Sequence, residues 1–383
     1  MTQPEQQPQA SYRDAGVDEE REQDAFSKVM RPWLARAKVK SPLVTSITGL
    51  ASGYFATLLH IPPGPPIALT TDGVGTKILL ARQANRWECV GVDVVANNVN
   101  DLVCVGAVPL ALLDYMATDR IDEGVFEELA RGMYLGADLA GIAIPGGEIA
   151  QIGAMLASSE GGGPMLDLVG TAMGALPPAD PGERPEPGRV TQWRKPVDGA
   201  DVRPADVIIG LPSSGLHSNG YSLARHALFD IGGLTLDDMA GDGRLDDALL
   251  QPTRVYVAAA EALWAAGVTP RGLVHISGGG LLNLGRLAAD VSYELDALPA
   301  PPPVFGLIAQ AGSIPASTMY ATFNMGIGFC VVVSQDQQQA AMAALQGAGE
   351  EPVRIGQVSG QPGHNVTIPA QALTGRGDTF LAR

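Results

Sequence analysis

The feature that most constrains this chain is an apolar, strand-forming run, Pro66-Ile67-Ala68-Leu69, that passes directly into Thr70-Thr71-Asp72-Gly73-Val74-Gly75-Thr76-Lys77. A carboxylate, a hydroxyl and an ammonium among glycines at a strand end suit phosphate and cation chemistry, because glycine lets backbone N–H groups approach a ligand closely. Further turns of this kind are expected at Gly146-Gly147-Glu148, at Ser213-Ser214-Gly215-Leu216-His217-Ser218-Asn219-Gly220 and at His275-Ile276-Ser277-Gly278-Gly279-Gly280, each behind a short apolar run. A fold that uses all four has to gather them from remote parts of the chain.

From Gly91 to Gly106 the residues Val92, Val95, Val99, Leu102 and Val103 recur with helical period, and Gly106 followed by Pro109 ends the pattern. The opposite edge of this helix carries Asp93, Asn97 and Asn100, with Asp101 beside them, an unusual polar stripe for a largely buried helix. Leu110 to Met116 reads as a buried strand, Val125 to Ala137 as a helix, and Ile142 to Pro145 as a strand entering the Gly146-Gly147-Glu148 turn. Leu166 to Leu176 is a further strand.

Pro177 to Pro196 is rich in proline and charge and marks an excursion between two domains. Beyond it, strands at Asp206 to Leu211, Leu273 to Ile276, Gly326 to Val333 and Val353 to Val358 alternate with helices at Ser222 to Leu228, Val255 to Ala266, Leu281 to Ala289 and Gln335 to Leu345. The expected organisation is α/β (α+β): a tail over 1–10, an N-terminal domain over 11–176, a linker over 177–205 and a C-terminal α/β domain over 206–383.

A formal charge of -16 repels nucleic acid and anionic membranes, so neither is expected as a partner, and a phosphorylated small molecule has to be held by local groups. The stretch Leu102 to Met116 is broken by Pro109 and Asp114 and is too short to span a bilayer. Met1 to Ala10 has no basic start or apolar core and reads as a disordered tail, which suits a cytoplasmic protein. The three cysteines, Cys89, Cys104 and Cys330, lack metal-ligand spacing and read as buried thiols.

Three successive glycines between a strand and a helix suit a phosphate, or else a flexible connection; His275 and Ser277 beside them favour a ligand. In the Ser213 to Gly220 turn, Ser218 or Asn219 can cap the following helix, which leaves the other polar groups for an anion. His217 and His275 are candidate acid–base groups, since imidazole titrates near neutrality. Gly73 to Lys77 lacks the spacing of the P-loop, and the triple glycine lacks that of the dinucleotide fingerprint. The remaining oxygen ligands, Asp72, Asp93, Asn97 and Glu148, fit Mg2+-nucleotide binding.

Several segments, in order along nearly the whole chain, resemble the phosphoribosylformylglycinamidine cyclo-ligases, also called AIR synthases. They are Ser11 to Asp18 (Ser-Tyr-Arg-Asp-Ala-Gly-Val-Asp), Thr71 to Lys77, Gly91 to Leu102, Leu113-Asp114-Tyr115, Ser213 to Leu223, His275 to Gly280 and Thr322 to Gly326. The opening segment discriminates most, because other branches of the superfamily share the glycine turns but not that start. The resemblance implies a homodimer of two-domain subunits, with the N-terminal domains forming a shared sheet or barrel. It implies ATP- and Mg2+-dependent closure of formylglycinamidine ribonucleotide to aminoimidazole ribonucleotide, with release of ADP and phosphate in purine biosynthesis.

By the same resemblance, Asp72, Gly73, Thr76, Lys77 and Asn100 serve ATP, and Asp72, Asp93 and Glu148 serve the metal. The resemblance also implies that Ser214, His217, Ser218, Asn219, Gly278, Gly279 and Gly280 hold substrate; His217 and His275, as the acid–base candidates, and Asp93 are the residues expected to act in catalysis. The chain departs from the family where Gly-Gly-Glu-Thr-Ala-Glu-Met-Pro is expected: Ile149 and Gln151 replace a hydroxyl and a carboxylate. Asn97-Asn98 stands for a Met-Cys-type pair, and the proline-rich excursion is longer than usual. These changes fit an active, divergent enzyme or a paralogue with another substrate or none.

Overall fold

A computed structural model describes residues 10–11, 13–34, 36, 41–48, 54–156, 163–180, 182–186 and 191–382. Residues 1–9 of the expected tail, Tyr12 of the opening motif, 49–53 of the glycine-bearing loop before Tyr54, and 181 and 187–190 of the excursion lie outside the described residues.

The N-terminal half is built on six strands, β1 (Ser46–Thr48), β2 (Thr57–His60), β3 (Pro66–Gly73), β4 (Val108–Thr118), β5 (Ala143–Gln151) and β6 (Leu166–Ala175), in the spatial order β1-β2-β3-β6-β4-β5. β6 shows why one face is covered: Leu166, Leu168, Gly170, Ala172 and Gly174 are buried while Asp167, Thr171 and Met173 alternate with them toward solvent. The helix Glu88–Cys104 lies on the covered face, over β3 and β6, and a Cβ at Gly170 would approach Asn98 Nδ2 to 2.7 Å. The helix begins three residues before the first residue of the expected pattern and ends before Gly106, whose φ is +75°. Beside it the crossover helix Glu123–Ala140 links the parallel pair β4 and β5.

The expected turn at Gly146-Gly147-Glu148 is instead the middle of β5, which runs straight through it. The glycine is required there for a different reason. A Cβ on Gly147 would come within 2.1 Å of Asp114 Oδ1, so Gly147 makes room for the neighbouring strand's carboxylate.

The C-terminal half carries β7 (Val207–Pro212), a small hairpin of β8 (Met239–Ala240) and β9 (Gly243–Arg244), then β10 (Gly272–His275), β11 (Ser292–Glu294), β12 (Ile327–Val333), β13 (Val353–Ser359), β14 (Val366–Ile368), β15 (Leu373–Arg376) and β16 (Thr379–Ala382). Outside the hairpin they form one sheet in the order β10-β12-β7-β13-β11-β14-β15-β16, with β11–β14 parallel and the other described pairings antiparallel. Every residue of β12 is buried, which explains its continuous apolar sequence. The helix expected over Leu281 to Ala289 is a shorter and tighter turn, Gly280–Arg286.

The opening motif starts a third element. Asp18 caps a helix by accepting from Arg21 N (3.1 Å), and three consecutive helical segments follow, Glu19–Asp24, Ala25–Met30 and Arg31–Leu34. Ala10 N donates to Gly312 O (2.9 Å), which ties the start of this segment to the C-terminal half. No helix among the described residues is long and apolar enough to cross a membrane.

Candidate active site

The polar stripe of Glu88–Cys104 faces the other half of the chain. Asp93 Oδ1 accepts from Thr253 N (2.7 Å), while Asn100 donates to Arg254 O (2.8 Å) and accepts from Tyr256 N (2.9 Å). Asn97 and Asn98 donate to Gly73 O (3.2 Å) and Asp72 O (3.1 Å), holding the end of β3. Lys77, at the start of the helix Lys77–Ala84, is fully buried; its ammonium reaches Asp93 Oδ2 (2.7 Å), His217 O (3.1 Å) and Gln251 O (2.6 Å). An ammonium has three donors, and all three are used.

These contacts change the reading of several residues. Lys77, Asp93 and Asn100, expected to meet nucleotide or metal, have their polar atoms turned into the protein, where they pin the two halves together. Thr76 does the same, with its hydroxyl 3.0 Å from Ser222 Oγ. Among the described residues no three of His, Cys, Asp and Glu gather as a preformed metal site, so Asp72, Asp93 and Glu148 do not form one ligand set. Glu148 pairs with Tyr115 in the row of Gly73 and Val169, so it lies three strands from β3 and on the opposite face from Asp72. At the spacing of neighbouring strands that is about 14 Å.

A different set does converge. His275, at the end of β10, points Nδ1 at Asp101 Oδ1 (2.9 Å), while its Nε2 is buried and unpartnered. In the neutral ring the carboxylate holds the proton on Nδ1, which leaves the lone pair on Nε2. Asp72 lies close enough to feel both groups: protein crowding first, then the Asp101 charge, raise its carboxyl to about 6, while Gly73 N–H and His275 pull the other way. Asp72 at the end of β3 and Asp101 on the helix Glu88–Cys104 thus bring two mutually repelling charges beside His275. Asp101, which the sequence places only on the polar stripe beside Asn100, is set apart by its partner at His275.

His217 occupies the adjoining turn with φ +60°, a left-handed conformation uncommon for a residue with a side chain. Its Nε2 accepts from Ser214 N (3.3 Å), so the proton stands on Nδ1, which is buried without a partner. Burial foremost, then His275, Lys77 and Arg254, hold His217 well below the usual imidazole range, so it is neutral at pH 7. Gly328 lies beneath: a Cβ there would meet Tyr256 Oη at 2.0 Å and His217 Cε1 at 2.4 Å.

The side chains of the turn divide between structure and surface. Ser214 Oγ donates to Pro252 O (2.5 Å) and Ser218 Oγ lies 2.9 Å from Thr253 Oγ1, so both are held by the segment 251–256, a feature with no signal in the sequence pattern. Asn219 faces the triple glycine, since a Cβ on Gly278 would lie 3.5 Å from Asn219 Oδ1. Gly279 and Gly280 have φ of +95° and +54°, and a Cβ on Gly280 would strike Tyr320 O at 2.3 Å. Gly278 and Gly279 open onto a cleft of about 600 Å³.

The family described as "AIR synthase related protein, N-terminal domain" matches residues 54–176, and "AIR synthase related protein, C-terminal domain" matches residues 203–369. The phosphoribosylformylglycinamidine cyclo-ligase of Methanothermobacter thermautotrophicus is 40% identical over 351 residues, 91% of this chain and 94% of that protein. That of Myxococcus xanthus is 39% identical over 367 residues, 94% and 98% of the two chains. Among solved structures, hydrogenase maturation protein HypE in complex with ATP aligns with a TM-score of 0.54 at 18% identity, covering 91% of this chain and 90% of that one, a likeness of fold. The chain belongs to the AIR synthase related family.

Proposed function

We infer that this member of the AIR synthase family is an ATP-dependent cyclo-ligase. It closes formylglycinamidine ribonucleotide to aminoimidazole ribonucleotide, releasing ADP and phosphate. The formyl oxygen takes the γ-phosphoryl group of ATP, a ring-forming nitrogen attacks the activated carbon, and phosphate departs. The observation that carries this reading is the buried, unpartnered Nε2 of His275, oriented by Asp101 beside Asp72 and within the same corner as the triple glycine.

The roles of individual residues are part of the proposal. His275 Nε2 is the base for the proton of the attacking nitrogen, and Asp101 stabilises the imidazolium that results. The Nδ1–H of neutral His217 donates to the oxygen that develops charge. Asp72 and Asp101 fit a hard divalent cation, and would hold Mg2+; when bound, it supplies charge neutralisation to the nucleotide phosphates. Thr76, Lys77, Asp93 and Asn100 act indirectly, by fixing β3 and the segment 251–256 around the reactants, which suits a ring closure dependent on held geometry. The departures Ile149 and Gln151 fall on β5, three strands from β3, and leave this group untouched.

A homodimer belongs to the same proposal. The uncovered face of the first sheet exposes Leu69, Leu113, Tyr115 and Met173, each between 38% and 50% accessible, a patch that a second copy would cover. The setting proposed is cytoplasmic, in keeping with three free cysteines.

Incubation with formylglycinamidine ribonucleotide, ATP and Mg2+ is expected to give aminoimidazole ribonucleotide and ADP in equal amounts. His275→Gln should lower kcat by about 10²–10⁴-fold with the fold intact. Product formation by wild type no faster than in a boiled control would sink the reading. Light scattering is expected to show a dimer that Leu113→Asp converts to monomer.

A further inference from the structure

The cleft beside the triple glycine is walled by three remote segments: Glu22 and Arg31 from the N-terminal helical stretch, Gly278, Gly279 and Arg286 from the turn and its short helix, and Asp378 from the β15–β16 hairpin. None of the roles assigned so far uses Arg31 or Arg286. The chain has 41 acidic and 25 basic residues, so carboxylate partners are plentiful. Yet among the described residues neither guanidinium has a carboxylate at ion-pair distance, although Asp101 and Asp378 both act on Arg286 through space. The Arg286 guanidinium lies 5.3 Å from the centre of the Phe55 ring, a contact that favours one orientation of its plane.

We propose that Arg286, with Arg31 closing from the N-terminal stretch, binds the phosphate monoester of the ribonucleotide substrate, so that substrate and ATP carry their phosphates to different places. The proposal rests on the reaction assigned above. A planar guanidinium presents paired donors that match two phosphate oxygens, and the side-chain-free edge at Gly278 and Gly279 lets an anion come close. Glu22 and Asp378 on the same rim oppose a ligand that is anionic throughout. The molecule that fits has one phosphate and a neutral or cationic remainder, as an amidine ribonucleotide has; a triphosphate is disfavoured.

Steady-state kinetics on the full chain test this. Arg286→Ala is expected to raise KM for formylglycinamidine ribonucleotide about 10–100-fold, the range of one charged hydrogen-bonding partner, with kcat and the KM for ATP little changed. Arg286→Lys should restore only part of the loss, because lysine lacks the planar fork. Arg31→Ala, on an exposed helix, should raise the same KM less and preserve the fold even if Arg286→Ala does not. An unchanged substrate KM in Arg31→Ala and Arg286→Lys, or a rise confined to the KM for ATP, overturns the proposal and leaves the reaction standing. Titration of ribose 5-phosphate followed by ³¹P NMR, with ribose as control, separates the two claims: binding to wild type that is weakened in Arg286→Lys, in a protein that forms no product, would uphold the phosphate site while the reaction reading fails.

Discussion

At the scale of the residue, Lys77 and Asn100, which look like ligand groups in the sequence, are fully engaged by the protein itself. Lys77 and Asp93 are both fully buried and paired at 2.7 Å, and the lysine also serves two carbonyls of the other half. Lys77→Met strands a buried carboxylate, and is expected to destabilise the protein by about 3–5 kcal/mol in urea unfolding; a change below 1 kcal/mol would show the pair to be dispensable. His217 gives a pH dependence of definite sign. Its folded pKa lies well below the ordinary value of 6.5, so below that pH the unfolded chain takes up a proton that the folded chain refuses. Stability contributed by His217 is therefore present above pH 6.5 and declines as the pH falls. His217→Asn, which tolerates the left-handed backbone, should show a shallower decline between pH 6.5 and 5 than wild type; equal slopes would exclude His217 as the source.

At the scale of the element, the two central helices of the N-terminal half approach through glycines. A Cβ on Gly132 would meet Glu88 O at 1.9 Å, and one on Gly91 would meet Leu129 O at 2.2 Å, so the helices touch backbone to backbone. Gly132→Ala is expected to cost about 1–3 kcal/mol through overpacking, whereas Gly124→Ala, on the open first turn of the same helix, should gain about 0.4–1 kcal/mol; thermal unfolding of the pair checks the contrast. Elements with a strong period were legible: the helix Glu88–Cys104 and the strands around β12 follow from their valines and leucines. Glycine was less so. Gly146-Gly147 reads as a turn in sequence, yet it lies within β5 because Asp114 on the next strand needs the space, and a linear pattern carries no record of a neighbouring strand. The same limit hid the role of the polar stripe. Asp93 and Asn100 were visible as polar positions on a buried helix, but their partners in the other half are backbone groups at 253, 254 and 256, which any sequence supplies.

At the scale of the whole molecule, those bonds make the two halves one mechanical unit. Asn100 alone satisfies a carbonyl and an N–H of the other half, and Tyr54 Oη adds a bond to Val197 O at 2.8 Å. Calorimetry is expected to show a single unfolding transition for wild type, lowered in temperature by Asn100→Ala, which leaves two buried backbone groups unpaired at about 1–3 kcal/mol each; two well-separated wild-type peaks would contradict it. The corner containing Asp72, Asp101, His217 and His275 exists only when the halves are joined, since Asp72 and Asp101 come from one and the histidines from the other. The lysine latch also bears on how the chain is made. Gln251, whose carbonyl Lys77 needs, lies 174 residues further along, and a ribosome adding about 5–20 residues per second takes roughly 9–35 s to reach it. For that interval the nascent first half holds an ammonium it cannot yet bury in full, so the latch closes only after the second half has emerged.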